Sequence, residues 1–288
     1  MVAIGNFDGV HEGHQAILQA ARTAAGDGTV VALTFWPHPL SILRPEKAPA
    51  LLCGIEDRVE LLKAAGADEV SIVTFTPELG AWSPERFVEA VLVPLRPTAV
   101  VVGQNFRFGA GAEADGHQMR TLAGGRFDVT VLPMLCDDGP VSSSRVRKAV
   151  AAGDVARAAQ MLGRWFRYSG LVVHGNRRGH TLGFPTANIT VAPGAACLPD
   201  AVYAGYLVHG ADRWPAAISV GSNPTFDGIE RRVEAHAIGR TDLELYGERV
   251  GVDFVAHLRP QSRFASPEEL IAQLTRDVAA TRRIIGGR

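Results

Sequence analysis

Five largely unbroken runs of apolar and β-branched residues mark the first half of the chain: VAIG (2–5), VVALTF (30–35), EVSIVTF (69–75), AVVVG (99–103) and FDVTVLP (127–133). Strands without polar alternation are buried on both faces. Helical stretches lie between them. HQAILQAARTAA (14–25) ends near Gly26, and IEDRVELLKAAG (55–66) carries acidic residues in its first turn. SPERFVEAVLVPL (83–95) opens with Ser83 as N-cap and Pro84 at the first helical position. Doubly buried strands separated by helices imply an α/β domain whose parallel sheet is covered on both faces. Ligands of such sheets bind at the carboxyl ends of the strands. The turns after Gly5, Phe35 and Gly103 are therefore expected to converge on one crevice.

The second half changes character. SSSRVRKAVAAGDVARAAQMLGR (142–164) reads as two helices. Short strands follow, among them YSGLVVHG, VYAGYLVHG, PAAISVG, RVEAHAIG and RVGVDFVAHLR, punctuated by glycine and proline turns. That pattern predicts a mainly β domain, an antiparallel barrel or sandwich. A closing helix is expected over 266–285, with Ser266 and Glu269 as a capping box and Pro267 at its first position. The boundary is expected near 163–167, giving domains 1–163 and 164–288.

Composition excludes several classes. Basic and acidic residues number 29 and 30, so a nucleic-acid binder driven by backbone electrostatics is not expected. Lysine occurs only at 47, 63 and 148. A phosphate clamp would then consist of arginine and backbone N–H groups. Cys53, Cys136 and Cys197 form no paired motif, which argues against zinc and disulfides and for a cytoplasmic location. No membrane span and no signal peptide are expected. A homo-oligomer is compatible with the sequence.

GNFDGVHEGH (5–14) sets two histidines three residues apart at the passage from strand to helix. Zinc-protease histidines stand four apart on a helix, and no further Cys/His cluster accompanies these. A second reading is of polar residues opening a helix. In a third, the helix N-terminus holds phosphate while His11 and His14 stabilise developing charge, and Gly5 and Gly9 admit close backbone approach.

The wider string GNFDGVHEGHQAIL resembles the opening of the adenylyltransferase domain of the bacterial bifunctional riboflavin kinase/FMN adenylyltransferase (FAD synthetase) family. TFWPHP (34–39), VVGQNFRFG (101–109) and VSSSRVR (141–147) resemble further segments of it. The resemblance implies a Rossmann-like nucleotidylyltransferase domain. Its ATP and phosphate contacts would be Gly5, Asn6, Phe7, Asp8, Ser142, Ser143, Ser144 and Arg147. Flavin contacts would be Asn105, Phe106 and Phe108. The serine run also reads as plain helix capping, and the two phenylalanines also read as core.

GLVVHGNRRGHTLGFPTANI (170–189) resembles the riboflavin kinase signature of the same family. Thr186 and Asn188 stand two apart, on one face of an extended segment, and suit a hard cation such as Mg²⁺. The family assigns that pair to Mg²⁺ and nucleotide phosphate. Gly175, Arg177, Arg178 and Gly179 would wrap phosphates. VEAHAI (233–238) resembles the segment that carries the family's catalytic base, here Glu234.

The resemblance thus implies phosphorylation of riboflavin to FMN by the C-terminal domain and adenylylation of FMN to FAD, with pyrophosphate release, by the N-terminal domain. Several positions depart from the family. A short segment usually precedes the first strand, His180 replaces an arginine, Ser144 a threonine and Trp165 a proline, and His117 stands where an acidic residue is common. These leave room for one active half, a flavin analogue as substrate, or a non-catalytic flavin- or nucleotide-binding regulator.

Overall fold

A computed structural model describes residues 1–175, 183–225 and 228–287, with 223–225 and 228–230 described by backbone alone. The chain forms two compact units: Met1–Leu51 with Ile55–Ser143, and Leu52–Gly54 with Ser144–Arg288.

The first unit holds the expected parallel sheet. Its strands are β1 (Val2–Ile4), β2 (Val31–Trp36), β3 (Glu69–Thr74), β4 (Ala99–Gly103) and β5 (Asp128–Leu132), in the order β3-β2-β1-β4-β5. Helices α1 (Glu12–Ala25), α2 (Pro39–Leu43), α3 (Ile55–Ala64), α4 (Pro77–Gly80), α5 (Pro84–Phe87) and α6 (Gly116–Ala123) lie between them. Alternate residues of each strand enter different cores. Val2, Ile4, Val100 and Val102 pack with Phe35, Phe87 and Met119, whereas Ala3, Ala32 and Val101 pack with Phe7, Leu18 and Leu62. This double burial is the physical reason the strands read as continuous apolar runs.

Two helices differ from expectation. The stretch 83–95 begins as α5, capped by the Ser83 hydroxyl, but passes into a π turn at Val88–Leu92 and a 3-10 turn at Val93–Leu95. Pro94 cannot donate the backbone bond a regular helix would need there. Helix α6 is too short for a strong periodic signal and is set instead by a capping box of Asp115 and Gln118.

Helix α7 (Ser143–Ala151), whose first residue belongs to the first unit, and α8 (Val155–Leu162) precede the six strands of the second unit. These are β6 (Phe166–Val173), β7 (Ala187–Thr190), β8 (Ala201–His209), β9 (Asp212–Thr225), β10 (Gly228–Ala237) and β11 (Arg249–Pro260). They close into a barrel in the order β10-β7-β6-β11-β8-β9, with antiparallel neighbours. Closure removes exposed sheet edges. Phe254 meets Tyr168 and Tyr203 edge-on in the interior, with ring centroids 5.2 and 5.4 Å away. The Tyr168 hydroxyl donates to the Ala196 carbonyl at 2.9 Å and accepts from the Leu198 N–H at 2.7 Å. Outside, the Asp253 carboxylate takes both Arg167 and Arg213. The last helix, α9 (Pro267–Gly286), opens at Ser266, whose hydroxyl accepts from the Glu269 N–H. The Glu269 carboxylate reaches Ala265 rather than Ser266, one residue beyond a regular capping box. Asp277 of α9 is anchored by Arg259 of β11 at 2.7 Å.

Candidate active sites

In the first unit the strand order reverses at β1, which pairs with β2 on one side and β4 on the other. Such a switch point opens a crevice at the carboxyl ends of the strands. The loop 5–10 and the start of α1 occupy it. Gly5 keeps the sheet bond to the Leu33 carbonyl at 3.1 Å. The next residues turn tightly: the Val10 N–H bonds the Phe7 carbonyl at 3.1 Å, and Phe7, Gly9 and Val10 have φ of 50, 80 and 38°. Left-handed backbone at a phenylalanine and a β-branched residue costs on the order of 1–3 kcal/mol each, so tertiary contacts must hold it. The Phe7 ring is fully buried beneath Gly5, where a Cβ would lie 2.9 Å from its edge.

His11 is the N-cap of α1, and its Nδ1 accepts the His14 N–H at 3.3 Å. The two imidazoles stack, with centroids 3.6 Å apart, and the Phe7 ring meets His14 edge-on at 5.2 Å. With Nδ1 of His11 accepting, Nε2 is left as its donor. The dipole of this 14-residue helix favours an anion at the same end.

The other candidates divide. Asn6 is exposed, and its carbonyl accepts the Thr34 hydroxyl at 3.0 Å. The buried Asp8 carboxylate lies 3.6 Å from the buried Arg58 guanidinium. The Ser143 hydroxyl donates to the Asp8 carbonyl at 2.9 Å, which sets Ser143 against the histidine loop. Ser142 adjoins it, while Ser144 and Arg147 continue along α7 in the second unit. After β4, Asn105 is exposed and Phe106 half-buried. Phe108 is 6% exposed and packs on Phe87 at 5.4 Å within the core. Its packing makes it a support beneath Phe106, whose ring stacks on it at 5.8 Å. Arg58 was not among the sequence candidates. Its signal was present: it stands four residues before the buried Leu62, on the buried face of α3.

In the second unit the barrel register brings Asn188 of β7 and Glu234 of β10 directly opposite each other. Val233 and Ala235 point into the barrel and are 1% exposed, so Glu234 takes the other face. Partial burial pushes the Glu234 carboxyl pKa up, and the Arg232 charge two residues away opposes this in part. His236 bonds the Pro185 carbonyl at 2.8 Å and so ties down the entry to Thr186. A Cβ on Gly175 would lie 2.3 Å from the Asn188 amide, so glycine is what lets the two segments meet. Ser219, which the sequence did not single out, flanks Glu234 from β9 and accepts from the Gln261 amide at 2.8 Å. Arg177, Arg178, Gly179 and His180 lie outside the described residues.

Thr186 and Asn188 also line a cavity of about 490 Å³, floored by Val172, Leu207, Ala235 and Ala237. The His174 and Tyr246 rings stack at its margin, 4.3 Å apart. Among the described residues no cluster of three or more His, Cys, Asp or Glu is suited to a metal ion. The hydroxyl of Thr186 and the amide oxygen of Asn188 are hard, neutral donors. That set fits a Mg²⁺ ion that keeps waters and shares phosphate oxygens, and does not fit a metal held by protein alone.

Residues 1–146 match the FAD synthetase family and residues 162–285 the riboflavin kinase family. A bifunctional riboflavin kinase/FMN adenylyltransferase of Escherichia coli (strain K12) is 36% identical, over 99% of this chain and 93% of its own length. That of Listeria monocytogenes is 35% identical, over 98% and 91%. A solved Streptococcus pneumoniae structure, described as a macrolide-efflux protein, superposes with a TM-score of 0.88 at 30% identity, over 98% of this chain and 93% of that one. Among the described residues here, no helix is long and apolar enough to cross a membrane.

Proposed function

This chain belongs to the bifunctional riboflavin kinase/FMN adenylyltransferase family, and from that premise we propose how its residues divide the chemistry. The protein is an enzyme of flavin cofactor biosynthesis that uses ATP to convert riboflavin to FMN and FMN to FAD.

We assign the kinase step to 164–288 and the adenylyl transfer to 1–163. In the kinase, the riboflavin 5′-hydroxyl attacks the γ-phosphate of ATP and Glu234 accepts its proton. The observation that carries this assignment is the register pair Glu234–Asn188, which sets a carboxylate of raised pKa beside the Asn188 amide. A base whose pKa is shifted toward the working pH is better matched to proton transfer. Thr186 and Asn188 would hold Mg²⁺, which when bound neutralises phosphate charge.

In the adenylyltransferase, a phosphate oxygen of FMN attacks the α-phosphorus of ATP and pyrophosphate leaves. His11, His14 and the N-terminal N–H groups of α1 are the donors aimed at the charge that develops. Gly5, Asn6, Phe7 and Asp8 shape the loop, and Ser142 and Ser143 brace it. Asn105 and Phe106 border the flavin, with Phe108 supporting them. Arg177, Arg178 and Gly179 complete the kinase phosphate loop. Three unbridged cysteines support a cytoplasmic setting.

Incubating the purified chain with riboflavin, ATP and Mg²⁺ should yield FMN, ADP, FAD and pyrophosphate, resolved by chromatography. Absence of both flavin nucleotides would overturn the assignment.

A further inference from the structure

Helix α3 carries a guanidinium that no part of the chemistry above uses. Arg58 is 0% exposed, the largest fully buried side chain among the described residues. An arginine is almost never buried so completely without paired partners. Its contacts all run to the carboxyl ends of two strands. Nη1 donates to the Phe35 carbonyl of β2 at 3.3 Å. Nη2 lies 3.6 Å from the Asp8 carboxylate in the loop after β1. The guanidinium also sits 5.5 Å from the centroid of the Trp36 ring.

Asp8 stands between Phe7 and Gly9, inside the left-handed turn that delivers His11 to the start of α1. Its backbone is held by Ser143, and its side chain faces Arg58. The turn is closed locally by the Val10 N–H bond to the Phe7 carbonyl, and positive φ at Phe7 and Val10 still costs on the order of 1–3 kcal/mol each, so contacts from elsewhere in the unit add to holding it. The Arg58 pair supplies one from α3 and ties it to the end of β2 by the same planar group.

We infer that Arg58 is a positioning residue for adenylyl transfer: by bridging Asp8 to the Phe35 carbonyl it holds the turn that aims His11 and His14. This rests on the adenylyltransferase reading given above. Arg58 touches no substrate. Its loss misplaces donors that matter most in the transition state, so it lowers kcat and leaves substrate binding largely intact. Misplacing reacting groups by an ångström costs about 100-fold in rate.

The test uses the full chain, with both steps assayed on the same preparation. Arg58→Met keeps length and removes charge. Its kcat for FMN to FAD should fall about 100-fold, with KM for ATP and FMN within about threefold, and riboflavin phosphorylation should be unchanged. Arg58→Lys keeps the ion pair but lacks the two-pronged fork, and should recover about tenfold of that loss. If Arg58→Met destabilises the first unit in thermal unfolding, the isosteric Asp8→Asn reads the same link and should show the same kcat-selective loss. An unchanged kcat in Arg58→Met or Asp8→Asn, a loss carried by KM alone, or a lysine no better than methionine would overturn the inference. Wild-type chain that forms FMN but no FAD would instead refute the adenylyltransferase reading, and this inference with it.

Discussion

Replacing Glu234 by glutamine separates catalysis from stability at one atom. The amide has the size of the carboxylate and occupies the same place opposite Asn188 and Ser219, but it accepts no proton. General-base assistance contributes about 10²–10⁴-fold. At 1.36 kcal/mol per decade that is roughly 3–5 kcal/mol of barrier. FMN formation should therefore fall by about two to four orders of magnitude, while conversion of supplied FMN to FAD is unchanged.

Stability should move the other way. Burial, the larger cause, raises the Glu234 pKa, and Arg232 offsets it only in part. Folding therefore favours the protonated form. The stability this confers is full below the unfolded pKa and is lost as pH rises through the folded one. At neutral pH the wild type carries a poorly solvated charge that glutamine lacks, so the Glu234→Gln barrel should unfold at a higher denaturant midpoint. The same shift places the acid limb of wild-type kinase kcat/KM above the ordinary glutamate range, because the base must be ionised to act. Chromatographic rates for each step, a pH profile and a urea titration measure all three. A variant that keeps the kinase rate within tenfold, or loses both steps while folded, would refute the reasoning.

Three further outcomes follow from the same geometry. His14→Ala removes a stacked donor at the start of α1 and should lower FAD formation by about 10²–10³-fold with riboflavin phosphorylation intact, read from the two product peaks. Phe108→Ala opens a cavity against Phe87 and should cost about 3–5 kcal/mol in denaturant unfolding of the first unit, whereas Phe106→Ala should act mainly on KM for FMN. Gly175→Ala drives a methyl into the Asn188 amide and should raise the Mg²⁺ concentration needed for half-maximal kinase activity, with FMN-to-FAD conversion unaffected.

The strand–turn–helix setting of the two histidines was legible because it is local. Strand, glycine turn and helix start follow one another along a few residues; the sequence reading began the helix at His14, and the structure begins it at Glu12 with His11 as N-cap. The parallel sheet was legible for a related reason: burial on both faces imposes an apolar run that needs no knowledge of neighbours. Phe106 and Phe108 show where local pattern fails. Two aromatics two residues apart look alike in sequence, and only packing against Phe87 separates a buried support from a half-exposed surface.

Sequence by itself determined the order of elements, the two-part organisation and the residue types available for each step. Tertiary structure decided which of those residues meet. Glu234 faces Asn188 because barrel closure sets the register of β10 on β7, and period-two alternation fixes the face of a side chain but not its partner across the sheet. Arg58 reaches Asp8 across fifty residues of chain because α3 packs beside the carboxyl ends of β1 and β2, where a buried charge is tolerated only against its opposite.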